Sequence, residues 1–258
     1  MITTGIDVGT ETIKVVILED EEIASYSIVK AGFELQKSCD EAIESALSKI
    51  NLSRSDISGF IATGIGSKEV SYADNSVSEI VADARGAVWL FPQVRTIIDV
   101  GCEQARAIRC DSTGRVITYG NNEKCAAGAG AFVETMARVL ELSVEEMGKL
   151  SQKSSRDISL NSTCAVFAET EVVSLIHANT PKHDIGRAIH DSIAIRITTM
   201  VRRVGIDGEV LFIGGLAKNI GVVERLKHHL DMEIIIPDEP QIITALGAVL
   251  IARGKQGG

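Results

Sequence analysis

The chain carries Ile6-Asp7-Val8-Gly9-Thr10-Glu11 near its start and the closely similar Ile98-Asp99-Val100-Gly101-Cys102-Glu103 further along. In each copy an apolar run ends in Asp, turns at Gly and continues into a second apolar run. This pattern predicts a strand, a tight turn and a second strand. Because each copy opens one half of the 258-residue chain, the repeat indicates two similar halves.

The repeated turn is suited to holding a nucleotide. Two such turns facing each other could clamp a phosphate chain, with Asp7 and Asp99 holding Mg²⁺ through water and glycine N–H groups approaching the phosphates. Glu103 is the candidate that orients the attacking water. The alternative is a pair of unrelated β-hairpins, and the repetition favours the shared site.

Further candidate nucleotide-binding residues surround these turns. They are Gly9, Thr10, Glu11, Thr12 and Lys14 in the first turn and Gly101 in the second. A third element follows a predicted strand and supplies Gly214, Gly215, Lys218 and Asn219. Glycines between a strand and a helix let a ligand lie close to the backbone, so an adenosine is expected there. The alternative for this element alone is an ordinary strand-to-helix turn.

The alternation of strands and helices predicts an α/β fold with mixed sheets. A boundary near Phe91-Pro92-Gln93 divides the chain into lobes 1–92 and 93–258 with a nucleotide cleft between them. The strands are expected near residues 2–8, 12–18, 22–28, 57–63, 94–100, 105–109, 116–119, 209–213 and 233–236. The helices are expected near 38–50, 77–90, 126–141, 144–152, 165–178, 184–204, 219–230 and 241–253.

The three glycine-containing elements, in this order, resemble those of the actin, sugar-kinase and heat-shock ATPase superfamily. That resemblance implies two ribonuclease-H-like lobes with the nucleotide between them. It leaves open a small-molecule kinase and an actin-like structural protein as alternative functions.

Composition excludes several classes of partner. The net charge of −9 and the 4% aromatic content argue against a nucleic-acid-binding protein, which needs a basic face and stacking side chains. No signal peptide is expected, and the apolar stretch 242–252 is too short to span a bilayer. A cytoplasmic location follows as an expectation, with the five cysteines reduced.

Two of the cysteines stand out by their context. Cys125 and Cys164 each lie at a predicted helix start, where the positive end of the helix favours a thiolate. Burial as small apolar side chains is the alternative. A [4Fe–4S] cluster needs four thiolates, so two cysteines are sufficient only if a two-fold dimer supplies the other two. Cys39 and Cys102 do not have the context of ligands, and Cys110 is left open.

The segments Asp7–Lys14, Asn122–Gly130, Ser162–Glu169 and Gly214–Asn219 together resemble the 2-hydroxyacyl-CoA dehydratase activator family. That family includes the ATPase subunits of benzoyl-CoA reductase and the reductases of double-cubane cluster proteins. The strings Lys-Cys-Ala-Ala-Gly and Ser-Thr-Cys-x-Val-Phe-Ala-Glu are highly specific for it, and the resemblance covers nearly the whole chain.

The resemblance implies that Cys125 and Cys164 of two subunits hold one [4Fe–4S] cluster, in a homodimer or in a heterodimer with a sister subunit. It further implies that ATP changes the angle between the cluster-bearing helices. An electron from a donor such as ferredoxin or flavodoxin then passes at low potential to an iron–sulfur acceptor enzyme. The chain departs from the family at Gly101-Cys102-Glu103-Gln104, where Gly-Gly-Gln-Asp is frequent. This departure leaves the role of Glu103 open and leans toward the reductase branches.

Overall fold

The computed structural model describes residues 1–122, 130–160 and 165–256, with only the backbone described at 165–166 and 252–256. The chain forms two compact units. The first comprises Met1–Arg95, Cys110–Ile117 and Gln241–Gly258, and the second comprises Thr96–Arg109 and Thr118–Pro240. The C-terminal segment thus packs with the N-terminal unit, and the division into lobes 1–92 and 93–258 stays a prediction.

The first unit is built on a five-stranded mixed sheet of order β3-β2-β1-β4-β5. Strands β1 and β2 and strands β2 and β3 pair antiparallel, whereas β4 lies parallel to β1 and β5 lies parallel to β4. The strands span Ile2–Val8 (β1), Thr12–Glu19 (β2), Glu22–Lys30 (β3), Gly59–Thr63 (β4) and Asn75–Ser76 (β5). The helices are Leu35–Ser48 (α1), Glu79–Leu90 (α2) and, at the end of the chain, Ile243–Gln256 (α8).

Helix α1 buries an apolar stripe at helical spacing, which includes Cys39, Ile43 and Leu47, against β2 and β3. The expected helix start at Ser38 is wrong, because the helix begins at Leu35. The Ser38 hydroxyl instead accepts a hydrogen bond from the Gly32 N–H at 2.9 Å. Ser38 therefore holds the loop that precedes α1 through a hydrogen bond to Gly32, and it does not cap the first turn of the helix.

The second sheet has the order β8-β7-β6-β9. Its strands are Val94–Val100 (β6), Ala105–Cys110 (β7), Val116–Asn121 (β8) and Glu209–Ile213 (β9). The helices of the second unit are Gly130–Val139 (α3), Val144–Ser151 (α4), Ala165–His177 (α5), Lys182–Val204 (α6) and Ile220–Leu230 (α7). One-turn 3₁₀ helices lie at Arg54–Asp56, Ser67–Glu69 and Gly215–Lys218. The core of the second unit includes Ile98, Met136 and Phe212.

The strand expected at 233–236 is reduced to a single parallel bridge between Leu211 and Ile235. Ile235 donates to the Val210 carbonyl at 2.8 Å and accepts from the Phe212 N–H at 2.9 Å. Pro237 follows two residues later and has no N–H to extend the ladder, so pairing stops there. Among the described helices, no stretch is long and apolar enough to cross a membrane.

His190 is fully buried in α6, with its Nδ1 3.0 Å from the Ser151 hydroxyl. Burial lowers its pKa from 6.5 to about 4, against a smaller opposing effect of Asp191. Between those pH values the unfolded chain binds a proton that the folded protein does not. Stability is therefore expected to fall as the pH drops from 6.5 toward 4, by up to about 3 kcal/mol from this group.

Thermal unfolding of the wild type and of His190→Gln between pH 7 and pH 4.5 checks this expectation. The variant should lose part of the pH dependence, whatever its stability at neutral pH. The exposed His228→Gln is the control and should keep the wild-type slope. Equal slopes for all three proteins would contradict the assignment.

Candidate functional site

The two Asp-x-Gly turns are closed by equivalent backbone hydrogen bonds. The Gly9 N–H donates to the Thr12 carbonyl at 3.1 Å, and the Gly101 N–H donates to the Gln104 carbonyl at 2.9 Å. Each bond closes a turn between two antiparallel strands, β1–β2 in one case and β6–β7 in the other. The predicted strand-turn-strand repeat is thus confirmed in both units.

Each aspartate is paired with a basic side chain from the returning strand. Lys14 lies opposite Asp7, with Nζ 3.0 Å from Oδ2, and Arg106 lies opposite Asp99, with Nη1 2.8 Å from Oδ2. Arg106 also donates to the Gln104 side chain. Arg106 was not among the predicted site residues, although it has the same spacing from Asp99 as Lys14 has from Asp7.

Both carboxylates are nearly buried, since Asp7 is 5% exposed and Asp99 is 7% exposed. The Oδ1 atom of Asp7 has no hydrogen-bond partner within the part of the chain that the structure describes. A buried carboxylate oxygen without a partner is costly unless an ion or water satisfies it. Oxygen ligands are those that Mg²⁺ prefers, so the donor chemistry at Asp7 fits this ion.

A glycine with positive φ lies against each aspartate. Gly64 follows β4 at φ +90°, and a Cβ there would lie 2.6 Å from the Oδ1 of Asp7. Gly214 follows β9 at φ +86°, and a Cβ there would lie 2.6 Å from the Oδ1 of Asp99. Only glycine combines this backbone conformation with so close an approach. Gly64 was not among the predicted site residues, and its equivalence to Gly214 emerges only from the packing.

The remaining predicted residues of the turns differ in exposure. Gly9, Thr12 and Gly101 are half-buried. The exposed residues of this set are Thr10, Glu11, Glu103, Gly215 and Lys218. The Nζ of Lys218 lies 2.7 Å from the Glu239 carboxylate. Exposure leaves these groups accessible to a ligand, and their contacts with a nucleotide stay a prediction.

Asn219 is buried and is the N-cap residue immediately before α7. Its Oδ1 accepts from the Val222 N–H at 3.1 Å, and its Nδ2 donates to the Val144 carbonyl at 3.3 Å. The side chain therefore caps one helix and ties it to the first residue of α4. An adenosine contact of Asn219 stays a prediction.

Cys125 and Cys164 lie outside the described residues, which resume at Gly130 in α3 and at Ala165 in α5. Helices α3 and α5 contact each other. The segments carrying the two cysteines therefore lead into neighbouring helices of the second unit.

The other cysteines are placed differently. Cys39 and Cys110 are fully buried, and burial raises the pKa of each thiol to about 11, which disfavours the thiolate that binds metal. Cys102 is half-buried. Within the ranges 1–122, 130–160 and 165–256, no group of three or more His, Cys, Asp or Glu side chains is placed to hold a metal ion.

Two sheets, each with an Asp-x-Gly turn and a facing glycine, define an α/β ATPase fold shared with sugar kinases. A ROK family glucokinase from Streptomyces griseus, solved with glucose and AMPPNP, superimposes with a TM-score of 0.60 over 98% of this chain and 100% of its own. Its sequence identity is 11%, so this likeness shows the fold alone.

The chain belongs to the BadF/BadG/BcrA/BcrD ATPase family, which its residues 4–252 match. A 2-hydroxyisocaproyl-CoA dehydratase activator from Clostridioides difficile is 39% identical over 253 residues, covering 98% of this chain and 95% of the relative. One of the subunits of the benzoyl-CoA reductase from Thauera aromatica is 33% identical over 261 residues, covering 96% and 92%. The expected family is thereby confirmed, and the lean toward the reductase branches is not supported by these identities.

A solved structure gives the same result. The activator of the 2-hydroxyisocaproyl-CoA dehydratase from Clostridium difficile with bound ADPNP superimposes with a TM-score of 0.93 at 38% identity. The alignment covers 100% of this chain and 97% of that chain. The expected fold class is therefore confirmed.

Proposed function

We propose that this ATPase is a low-potential electron donor that activates a partner iron–sulfur enzyme, such as a CoA dehydratase, a benzoyl-CoA reductase or a double-cubane cluster protein. One observation carries the proposal, namely the similarity to a dehydratase activator over 98% of this chain. The matched sequence includes Cys125 and Cys164 in strings typical of the family. A cytoplasmic location, where thiols stay reduced, is part of the proposal.

In the proposed nucleotide site, Asp7 and Asp99 would hold Mg²⁺ through water. The ion would supply charge neutralisation and acidify bound water. Backbone N–H groups of the predicted glycines approach the phosphates, and Glu103 orients the attacking water. Candidate contacts to the phosphates and the nucleoside are made by Gly9, Thr10, Glu11, Thr12, Lys14, Gly101, Gly214, Gly215, Lys218 and Asn219.

In the proposed cluster site, Cys125 and Cys164 of each of two subunits ligate one [4Fe–4S] cluster, which supplies one-electron chemistry. Two features support this assignment. Helices α3 and α5 contact each other, and α5 begins at the residue after Cys164, where a helix N-terminus favours a thiolate. The subunits are two copies of this chain or this chain and a sister subunit, with ferredoxin or flavodoxin as donor. A small-molecule kinase is not favoured, because the sugar-kinase likeness extends to the fold alone.

Anaerobic purification with iron and acid-labile sulfide counts, together with the molecular mass in solution, tests the proposal. About four irons per dimer are expected. Iron near zero after anaerobic reconstitution would contradict the shared cluster. ATP turnover stimulated by a sugar or by acetate would favour the kinase instead.

Asp7→Asn is expected to lower ATP hydrolysis by about 10–100-fold, the usual effect of disturbing a metal site. The substitution removes the negative charge from a buried side chain that faces Lys14. Steady-state phosphate release at saturating Mg²⁺ measures the effect. Asp20→Asn is the matched control, since Asp20 is an exposed partner of the N-terminal amine, and it should retain full turnover. An Asp7→Asn protein as active as the control would refute the assignment.

A further inference from the structure

The N-terminus of α3 is hydrogen-bonded to the second Asp-x-Gly turn. The Gly130 N–H donates to the Gly101 carbonyl at 2.9 Å, and the Ala131 N–H donates to the Cys102 carbonyl at 2.9 Å. The first four N–H groups of a helix have no acceptor within it. Two of these groups in α3 are therefore satisfied by consecutive carbonyls of the turn.

The start of α3 lies close to the turn, and the turn is itself closed by a backbone hydrogen bond. A Cβ on Gly130 would lie 3.1 Å from the Gly101 oxygen and 3.5 Å from the Cys102 Cα. Gly101 uses its own N–H to close the turn onto Gln104. A reorientation of the Gly101–Cys102 peptide group therefore changes the bond to Gly130, and a reorientation of the Cys102–Glu103 peptide group changes the bond to Ala131.

A second contact acts on the next helix. The Nδ2 of Asn219 donates to the carbonyl of Val144, the first residue of α4. Gly148 lies one turn further along α4, and a Cβ added to it would be only 3.1 Å from the Asn219 Oδ1, so the two residues are in close contact. Helices α3 and α4 contact each other, so the pair is held at both helix starts by elements predicted to contact the nucleotide.

We infer that the Gly101 and Cys102 carbonyls are a positioning element that transmits the nucleotide state to α3, the helix that follows Cys125 in the chain. The inference rests on the proposed function and deepens it. Phosphates held by the turn favour one orientation of its peptide groups, and their loss after hydrolysis favours another. Since the Gly101 and Cys102 carbonyls accept hydrogen bonds from the first two residues of α3, each orientation of these two peptide groups favours its own position of this helix.

Hydrogen–deuterium exchange of the full chain, measured with Mg-ADPNP and with Mg-ADP, tests the inference. In the wild type, exchange of the α3 amides at 132–139 is expected to differ between the two nucleotides by about fivefold or more. Ala131→Pro removes the N–H donor to Cys102, at a helical turn where proline is tolerated. This variant should bind both nucleotides and lose the difference.

Glu145→Pro is the matched control, because Glu145 is exposed and holds the same position in α4 as Ala131 holds in α3. It should keep the wild-type difference. Gly130→Ala is a second variant that keeps both N–H donors but inserts a methyl group against the Gly101 oxygen, and it should reduce the difference. If Ala131→Pro shows no cooperative thermal unfolding and is therefore not folded, the result with Gly130→Ala tests the inference.

The outcomes separate this inference from the function on which it rests. Retention of the full difference in a folded Ala131→Pro or in Gly130→Ala overturns the inference. A wild type that binds both nucleotides without any difference in α3 also overturns it and leaves the ATP site intact. A wild type that binds neither nucleotide contradicts the proposed function itself, and the inference with it.

Discussion

Cys125→Ala and Cys164→Ala are each expected to give a colourless protein, with iron falling from about four per dimer to near zero. Each substitution removes one thiolate per subunit and therefore two of the four ligands of the proposed shared cluster. Iron and acid-labile sulfide are counted after anaerobic purification, together with the visible absorption spectrum. Electron transfer to the acceptor enzyme should be abolished in both variants.

Cys39→Ala and Cys110→Ala are the matched controls for this experiment. Both side chains are fully buried, and burial raises the pKa of both thiols, so neither is suited to ligate iron. These variants should remain brown, with a loss of stability of about 1–2 kcal/mol from removing a small buried group. A Cys125→Ala protein that keeps its full iron content would refute the assignment of this ligand.

Gly247→Ala is expected to destabilise the first unit by about 3 kcal/mol or more, at the upper end of the cost of overpacking. Gly247 lies in α8 at its contact with α2, and a Cβ at this position overlaps the carbonyl oxygen of Ala82. Because the obstacle is backbone, no rotamer change relieves it. Thermal unfolding should show a loss of about 10 °C in Tm for a chain of this size.

Gly186→Ala is the control, since it too replaces a glycine inside a helix. Its nearest obstacle is the flexible Met147 side chain, 3.3 Å from the ideal Cβ position. Alanine is intrinsically better than glycine in a helix by about 1 kcal/mol, a gain common to both variants. The control should therefore unfold near the wild-type temperature, and equal Tm values for the two variants would contradict the predicted backbone clash.

Local pattern was sufficient to predict most of the fold. The apolar runs that end at Asp7 and Asp99 predicted the two strand-turn-strand units, because strands β1 and β6 are buried on both faces and such strands read as continuous apolar runs. Local pattern failed at Ser38, whose hydroxyl serves the preceding chain instead of the helix start. It also failed at 233–236, where the pairing of Ile235 stops before a proline.

The sequence by itself determined the duplicated turns, the spacing of Lys14 and Arg106 from their aspartates, and the context of Cys125 and Cys164. Only the tertiary structure showed that Gly64 and Gly214 lie against the carboxylates. It also showed that α8 belongs to the first unit and that the start of α3 is hydrogen-bonded to the second turn. The physical reason is that these contacts depend on glycines, which have no side chain, and on backbone N–H and C=O groups. Neither leaves a periodic signal in the sequence, and the partners meet only when distant segments fold together.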